Sequence, residues 1–308
     1  MRHKTPFLII GFGNQAKSWA LNLRDSGHFV HIALRKQSPS MALAKKLDFE
    51  VVELNSEQLQ KYPIWILLTP DHTHKTILEN ISVTPEAIIY AHGFSVVKNK
   101  FFEKMADCSH LLLAPKSIAS ELRFQFETKG KLGAVHSLEY SLREQDKEIL
   151  FTLATGIGIT AGPFETTFKQ ETDADLFSEQ SLLCSVLPYA AQKCFEILRE
   201  KGISKELAYF ESWYEVKLIA DAMIQIGPQN FFDLISPNAL FGAEKGRKVI
   251  IDSKFENKLR QLWEDIESGK YYEELTNSDI PAIRKQVKQR WQNHELESLH
   301  RNLSQQLF

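Results

Sequence analysis

Two acidic couplets, Asp175 with Glu179 and Glu211 with Glu215, are each spaced i,i+4 inside a helical, apolar-rich stretch. At that spacing two like charges stand one turn apart on one helix face, a repulsive arrangement that a cation between them relieves. Acidic pairs are common on solvated helix faces, so one couplet alone would carry little. Two are harder to set aside, because Leu176, Phe177, Leu182 and Leu183 crowd the first. Tyr209, Phe210, Trp213, Val216, Leu218 and Ile219 crowd the second. Carboxylates among so many apolar side chains need a partner, and the pattern predicts a divalent metal held between helices.

A second chemistry is written near the start. The apolar run Phe7 to Ile10 leads into Gly11-Phe12-Gly13-Asn14-Gln15-Ala16, a GxGxxA turn between a strand and a helix that ends near Gly27. Gly11 permits the tight turn, Gly13 lets a pyrophosphate approach the backbone, and the small Ala16 keeps helix and strand close. The end of the next strand decides which dinucleotide fits. It reads Ala33-Leu34-Arg35-Lys36-Gln37-Ser38-Pro39-Ser40, with no carboxylate for a ribose hydroxyl. Arg35 can pair with a ribose 2′-phosphate, and the Ser38 and Ser40 hydroxyls can donate to its remaining oxygens, so NADPH is favoured over NADH.

These residues need scaffolds, and the chain supplies two. The first half alternates short apolar runs with helical patterns, as in a doubly wound α/β domain. Candidate strands are Phe7 to Ile10, Phe29 to Leu34, Glu50 to Leu54, Ile64 to Leu68, Ala87 to Ala91, His110 to Ala114 and Gly133 to His136. Several are continuous apolar runs, as parallel strands covered on both faces should be. Ser141 and Glu144 make a capping box for a helix reaching about Leu153. After Gly162 and Pro163 strands give way to amphipathic helices, expected at about Thr172 to Arg199, Ser204 to Ile226, Ser253 to Ser268 and Asp279 to His294, with a last one toward Leu307. Ser204 and Ser253 sit where N-caps belong, Gly202 and Gly269 where helices stop. The expected division is a Rossmann-like cofactor domain over 1–164 and an all-helical metal, substrate and dimerisation domain over 165–308.

Composition narrows the class. The 308 residues, 43% hydrophobic and 25% charged, suit a globular protein, and a net charge of −2 gives no footprint for nucleic acid or an anionic membrane. Cys108, Cys184 and Cys194 are odd in number and lack CxxC spacing, which fits a reducing, cytoplasmic setting. The charged start, Met1 to Pro6, carries no signal-peptide core, and no run of about 20 apolar residues follows.

With these residues laid out, the chain resembles the ketol-acid reductoisomerases, also called acetohydroxyacid isomeroreductases, and is most similar to the short bacterial type. The resemblance rests on GFGNQAKSWALNLRDSG (Gly11 to Gly27), AHGF (Ala91 to Phe94), LAPK (Leu113 to Lys116), ETTFKQETDADLFSEQSLLC (Glu165 to Cys184) and AYFESWYEVKLIAD (Ala208 to Asp221). It implies two Mg ions held by Asp175, Glu179, Glu211 and Glu215, with Asp175 bridging them. It implies that His92, Lys116 and Glu215 are catalytic, that Asp71 lines the cofactor, and that Ser236 meets the substrate carboxylate. The implied chemistry is alkyl migration in a 2-hydroxy-2-alkyl-3-keto acid, followed by NADPH reduction to a 2,3-dihydroxy acid. A homodimer or larger homo-oligomer packed through the helical domains is implied too, with a deep knot in some members.

The pattern breaks in two places. The family's KGPG is Lys116-Ser117-Ile118-Ala119 here, so side chains at Ser117 and Ile118 are expected to crowd the nicotinamide or reshape the substrate pocket. Its SNTAEYG is Ser236-Pro237-Asn238-Ala239-Leu240-Phe241-Gly242, with Leu240 in place of glutamate. Two other readings therefore stay open: a reductase of 2-keto-3-hydroxy acids without the alkyl shift, and a catalytically silent NADPH-binding protein. The His72/His74 pair has no further ligands nearby in sequence and reads as loop residues near the cofactor.

Overall fold

The computed structural model describes residues 6–54 and 57–307. The charged start read as lacking a signal core lies, up to Thr5, outside the described residues. Two compact units divide between Thr172 and Asp173.

The first unit is built on one sheet of eight strands: β1 (Phe7–Ile10), β2 (Val30–Leu34), β3 (Glu50–Glu53), β4 (Ile64–Leu67), β5 (Ala87–Tyr90), β6 (Ser109–Pro115), β7 (Gly133–Tyr140) and β8 (Ala161–Glu165). Their order is β3-β2-β1-β4-β5-β6-β7-β8. Neighbours are parallel except β6 and β7. The helices α1 (Asn14–Asp25), α2 (Met41–Lys46), α3 (Asp71–Glu79), α4 (Phe94–Asn99), α5 (Phe101–Lys104), α6 (Ala119–Thr128) and α7 (Asp146–Ile157) connect the strands. Successive side chains on a strand point to opposite faces. Phe7, Ile9, Ile64 and Ile66 therefore enter one core, and Leu8, Ile10, Trp65 and Leu67 the other. Both faces of the sheet are covered by apolar clusters, which is why these strands read as unbroken apolar runs rather than alternating ones. The strand order reverses at β1, between β2 and β4, and a crevice opens beyond the carboxyl ends of the strands there.

The sequence expectations fail at two points in this unit. Strand β8 was not expected: Pro163 and a largely exposed pattern disguise it, and Pro is tolerated because β8 is an edge strand. The capping box is absent too. Helix α7 starts at Asp146 rather than near Ser141, and the Ser141 hydroxyl donates to Asp146 Oδ2 at 2.8 Å. The main-chain N–H groups of Leu142 and Arg143 donate to the same oxygen, so a turn replaces the expected helical start.

One core histidine makes the unit acid-sensitive. His110 on β6 is fully buried against the Tyr90 hydroxyl at 3.0 Å, and burial pushes its imidazole down to about 4. Between about pH 6.5 and 4 the unfolded chain binds a proton that the native chain refuses, so stability falls as pH drops through that window. Thermal melts should show a loss of roughly 3 kcal/mol across it, and His110→Gln should flatten the dependence.

The second unit is helical. Helix α8 (Phe168–Ser178) starts in the first unit and ends in the second. It is followed by α9 (Val186–Glu200), α10 (Lys205–Tyr209), α11 (Glu215–Leu234), α12 (Pro237–Ile250), α13 (Ser253–Glu267), α14 (Lys270–Asn277), α15 (Ile280–Gln292) and α16 (Glu295–Leu307). The two long helices expected across the acidic couplets are each interrupted by one π-helical turn, at Glu179–Leu183 and Phe210–Tyr214. Helix α11 also kinks at Gly227, where φ is 78°. Ser204 caps α10 as expected, but α13 is capped by Asp252, which accepts from the Phe255 N–H at 2.8 Å. The core here is small, centred on Phe195, Tyr209, Leu296 and Leu299. Helices α12, α14 and α15 bury none of their residues, and among the described residues no helix is long and apolar enough to cross a membrane.

Candidate active site

The β1–α1 turn opens the crevice. Gly11 has φ +99°, and a Cβ there would lie 2.8 Å from Thr69 Cγ2, so both backbone conformation and close approach require glycine. Gly13 is the N-cap of α1, has no side-chain cap, and faces open space, with no atom within 4 Å of an added Cβ. The first N–H groups of α1 are thus left for an anion. Ala16 is buried beneath the helix, Phe12 packs edge-on against Phe49, and Asn14 is exposed at the first residue of α1.

A cavity of about 450 Å³ runs from this turn past the end of β2 to the face of α3. Arg35, Ser38 and Ser40 line one side, His72, Thr73 and Thr76 another, and among the described residues no carboxylate lines it. A smaller one of about 210 Å³, lined by Gln15, Thr69, Asp71, His74, Ala91 and His92, occupies the same carboxyl-end crevice. His72 and His74 are on α3, not on a loop. His74 is buried, with Nε2 2.8 Å from the Thr69 carbonyl and Nδ1 2.7 Å from Ser95 Oγ. A carbonyl only accepts, so Nε2 carries the proton and Nδ1 takes the Ser95 hydroxyl. Burial lowers the His74 pKa, and the nearby Asp71 carboxylate offsets part of that.

The densest polar arrangement in the first unit surrounds a residue the couplet reading overlooked. The Glu171 side chain is 1% exposed; its Oε1 accepts from Lys116 Nζ at 2.8 Å and its Oε2 from the Gly93 N–H at 2.9 Å. His92 Nε2 lies 3.7 Å from Oε2, and His92 Nδ1 lies 4.0 Å from Asp71 Oδ2. The His92 ring stacks on Phe94 with planes 9° apart. Gly93 is what lets α8 approach, because a Cβ there would fall 2.5 Å from both the Phe168 carbonyl oxygen and Thr172 Oγ1. The structure therefore brings His92 and Lys116 to Glu171, with Asp71 beside the far nitrogen of His92. A sequence signal existed: Glu171, Asp175 and Glu179 form an i,i+4,i+8 ladder on α8, of which only the last two were paired.

In the second unit the couplets differ in setting. Asp175 is half-buried and Glu179 exposed at the start of the π turn. The Tyr272 phenol of α14 is pushed up to about 12, first by burial and then by Asp173. Glu211 lies in the second π turn and Glu215 follows it; both are exposed, with no hydrogen bond or ion pair among the described residues. No three of the four carboxylates bring oxygens within 4.8 Å of one another in the one chain. The crowding expected from sequence is partial. Leu176 is buried, but Leu182, Leu183, Leu218 and Ile219 are 47–54% exposed. Ser236 is exposed and N-caps α12, where its Oγ accepts from the Ala239 N–H.

Comparison with known proteins settles the lineage. Residues 2–162 match the family described as acetohydroxy acid isomeroreductase, NADPH-binding domain, and residues 168–307 match ketol-acid reductoisomerase, C-terminal domain. The chain belongs to the ketol-acid reductoisomerase family. It is thereby an enzyme of the oxidoreductase and isomerase type. Proteins named ketol-acid reductoisomerase (NADP(+)) are similar to it. The one from Helicobacter acinonychis is 36% identical over 85% of this chain and 81% of its own length. The one from Psychrobacter sp. is 33% identical over 85% and 79%. A solved NADH-preferring ketol-acid reductoisomerase from an uncultured archean superposes with a TM-score of 0.88 at 27% identity, covering 99% of this chain and 95% of that one. The family thus contains both cofactor preferences, and the choice must be argued from the cavity.

Against the family pattern, the loop after β6 is held without its glycines. The Lys116 N–H donates to the Gly133 carbonyl at 2.9 Å, and Ser18 Oγ of α1 donates to the Ala119 carbonyl at 2.7 Å. Ile118 is 73% exposed and Ser117 Oγ is buried without a hydrogen-bond partner. Neither lines the two cavities, so the loop departs from the family without filling the cofactor crevice.

Proposed function

We propose that this protein is a magnesium-dependent, NADPH-using ketol-acid reductoisomerase of the cytoplasm, converting a 2-hydroxy-2-alkyl-3-keto acid of the 2-acetolactate type into a 2,3-dihydroxy acid. The observation that carries the reading is the buried Glu171 carboxylate, clamped by Lys116 and Gly93 beside His92, in a chain whose β1–α1 turn and crevice suit a dinucleotide. Arg35 with Ser38 and Ser40 offers the fork and hydroxyls that a 2′-phosphate needs, and among the described residues no acid lines that cavity. The oxygen-only donor set of Asp175, Glu179, Glu211 and Glu215 fits magnesium, a hard cation that prefers carboxylates and water. When bound, the metal supplies positive charge for a developing alkoxide and the dinucleotide supplies the hydride.

The chain's own residues have simpler tasks. Gly11, Gly13 and the start of α1 would seat the pyrophosphate, and Gln15 and Asp71, which line the smaller cavity, would border the nicotinamide ring. Lys116 and the Gly93 N–H fix Glu171 as an acceptor facing His92, so a small rotation of the imidazole closes the 3.7 Å gap and lets a proton pass between them. Ser236 would donate its hydroxyl to the substrate carboxylate, the role the family resemblance implies. The net reaction consumes one proton and one hydride per ketol acid, and the His92 and Glu171 pair is where that proton is handled.

A homodimer completes the reading. Glu211 and Glu215 stand exposed among exposed Leu218, Ile219, Met223 and Ile224, a mixture of apolar surface that a second copy would bury and negative charge that magnesium held between the two copies would neutralise.

The test is NADPH oxidation with 2-acetolactate and with 3-hydroxy-3-methyl-2-oxobutanoate, each with magnesium and after chelation. Both substrates should turn over with magnesium, and chelation should abolish the acetolactate reaction. The substituted loop at Ser117 favours a second reading, in which the alkyl shift is lost; turnover of the second substrate alone would select it. Binding of NADPH with no turnover of either would leave a silent binding protein.

A further inference from the structure

We propose that His72 is a direct ligand of the cofactor's ribose 2′-phosphate, acting opposite Arg35, and that it makes selection of the phosphorylated dinucleotide depend on pH. The inference rests on the NADPH reading and deepens it. Arg35 and His72 line the same 450 Å³ cavity, one from the end of β2 and the other from the first turn of α3. His72 and Thr76 are four residues apart on α3 and both line the cavity, so that helix face looks into it.

The neighbours of His72 are already engaged. Thr73 Oγ1 bonds to Thr69 Oγ1 at 2.9 Å and to the Pro70 carbonyl at 2.7 Å, and His74 is buried on Ser95 and Thr69. The His72 imidazole is exposed, and no hydrogen bond or ion pair occupies it among the described residues. The charged and titratable groups around it are Asp71, His74 and Lys75 on its own helix, and Arg35 and Lys36 across the cavity. Of these only Arg35 shares the lining, while Asp71 and His74 line the smaller cavity. A 2′-phosphate carries close to two negative charges at neutral pH, and among the described residues Arg35 is the one permanent cation lining its cavity. Histidine is the residue type able to change charge near neutral pH, and a protonated imidazole at position 72 would join Arg35 on the phosphate across the shared cavity.

Affinity for NADPH and NADH, measured by fluorescence titration of the full chain at about pH 6 and about pH 8.5, tests this. At the lower pH, His72→Gln should weaken NADPH by about 5- to 10-fold and leave NADH within about 2-fold. At the higher pH the same substitution should change NADPH by less than about 2-fold. His72→Lys should hold NADPH tightly at both, because its charge persists. Comparing variant with wild type at one pH cancels the titration of the phosphate itself. Equal weakening of NADPH and NADH would assign His72 to the adenine ring and overturn the inference, as would a loss independent of pH. Arg35→Gln separates the two layers: if it spares NADPH and wild type prefers NADH, the cofactor reading falls and this inference with it. If it costs NADPH alone while His72→Gln does not discriminate, only the role of His72 falls.

Discussion

Asp175→Asn is expected to cut magnesium-dependent turnover of 2-acetolactate by about 10²- to 10³-fold while NADPH affinity stays within about 2-fold of wild type. Asp175 sits on α8, one turn after Glu171 and one turn before Glu179, where the helix passes into its π turn. π turns recur where a helix must re-aim a side chain, and here the second one, Phe210–Tyr214, carries the other couplet. An amide at position 175 keeps the size of the carboxylate but removes the charge a dication needs. The loss should therefore persist at saturating NADPH, and the magnesium needed for half-maximal rate should rise. A neutral result at saturating magnesium would remove Asp175 from the metal reading. A homodimer would give a further consequence. If each site combines Asp175 of one chain with Glu211 of the other, co-expressing Asp175→Asn with Glu211→Gln chains should restore about a quarter of wild-type activity, because half of the random dimers regain one intact site of two. Activity no higher than either parent would place all four carboxylates in one chain.

The first unit was legible because its strands are covered on both faces. Seven of the strands show as apolar runs with bounds within a few residues, and the glycine turn sits where an alternating domain demands it. β8 escaped because an edge strand with Pro163 has neither an apolar run nor alternation. The capping box misled because Ser141 and Glu144 satisfy the pattern while Asp146 binds the same turn more fully, gathering one hydroxyl and two main-chain donors. In the helical unit, composition marked the helices but not the π turns, because each spans only 5 residues, too short a stretch for apolar periodicity to separate from the flanking α-helix.

The site was legible to different depths. Asp71, His92 and Lys116 came from the resemblance, and the fold sets His92 and Lys116 at one carboxylate with Asp71 beside His92. Glu171 itself was missed, since its role depends on Lys116, 55 residues away, and Gly93, 78 residues away. No local spacing reports such a contact. The acidic couplets were read as crowded by apolar neighbours, and much of that apolar surface is exposed in a single chain. Sequence registers that these residues are apolar, but what covers them depends on assembly.

Glu171→Gln should lower kcat by about 10²-fold and leave the affinity for NADPH within about 2-fold. The amide preserves the shape and can still accept from the Gly93 N–H, but it loses the charge that holds Lys116 Nζ at 2.8 Å. Because Lys116 is 41% exposed, solvent softens the loss of the ion pair, and the stability change should stay at about 1–2 kcal/mol. Glu171→Asp keeps the charge on a shorter arm, so it should recover stability more fully than rate. A residue that only glued α8 to the Gly93 turn would behave in the opposite way, with a lowered melting temperature and an unchanged kcat in the protein that remains folded. The ratio of kcat loss to melting shift across these two variants therefore decides whether Glu171 handles the proton beside His92 or merely anchors the helix.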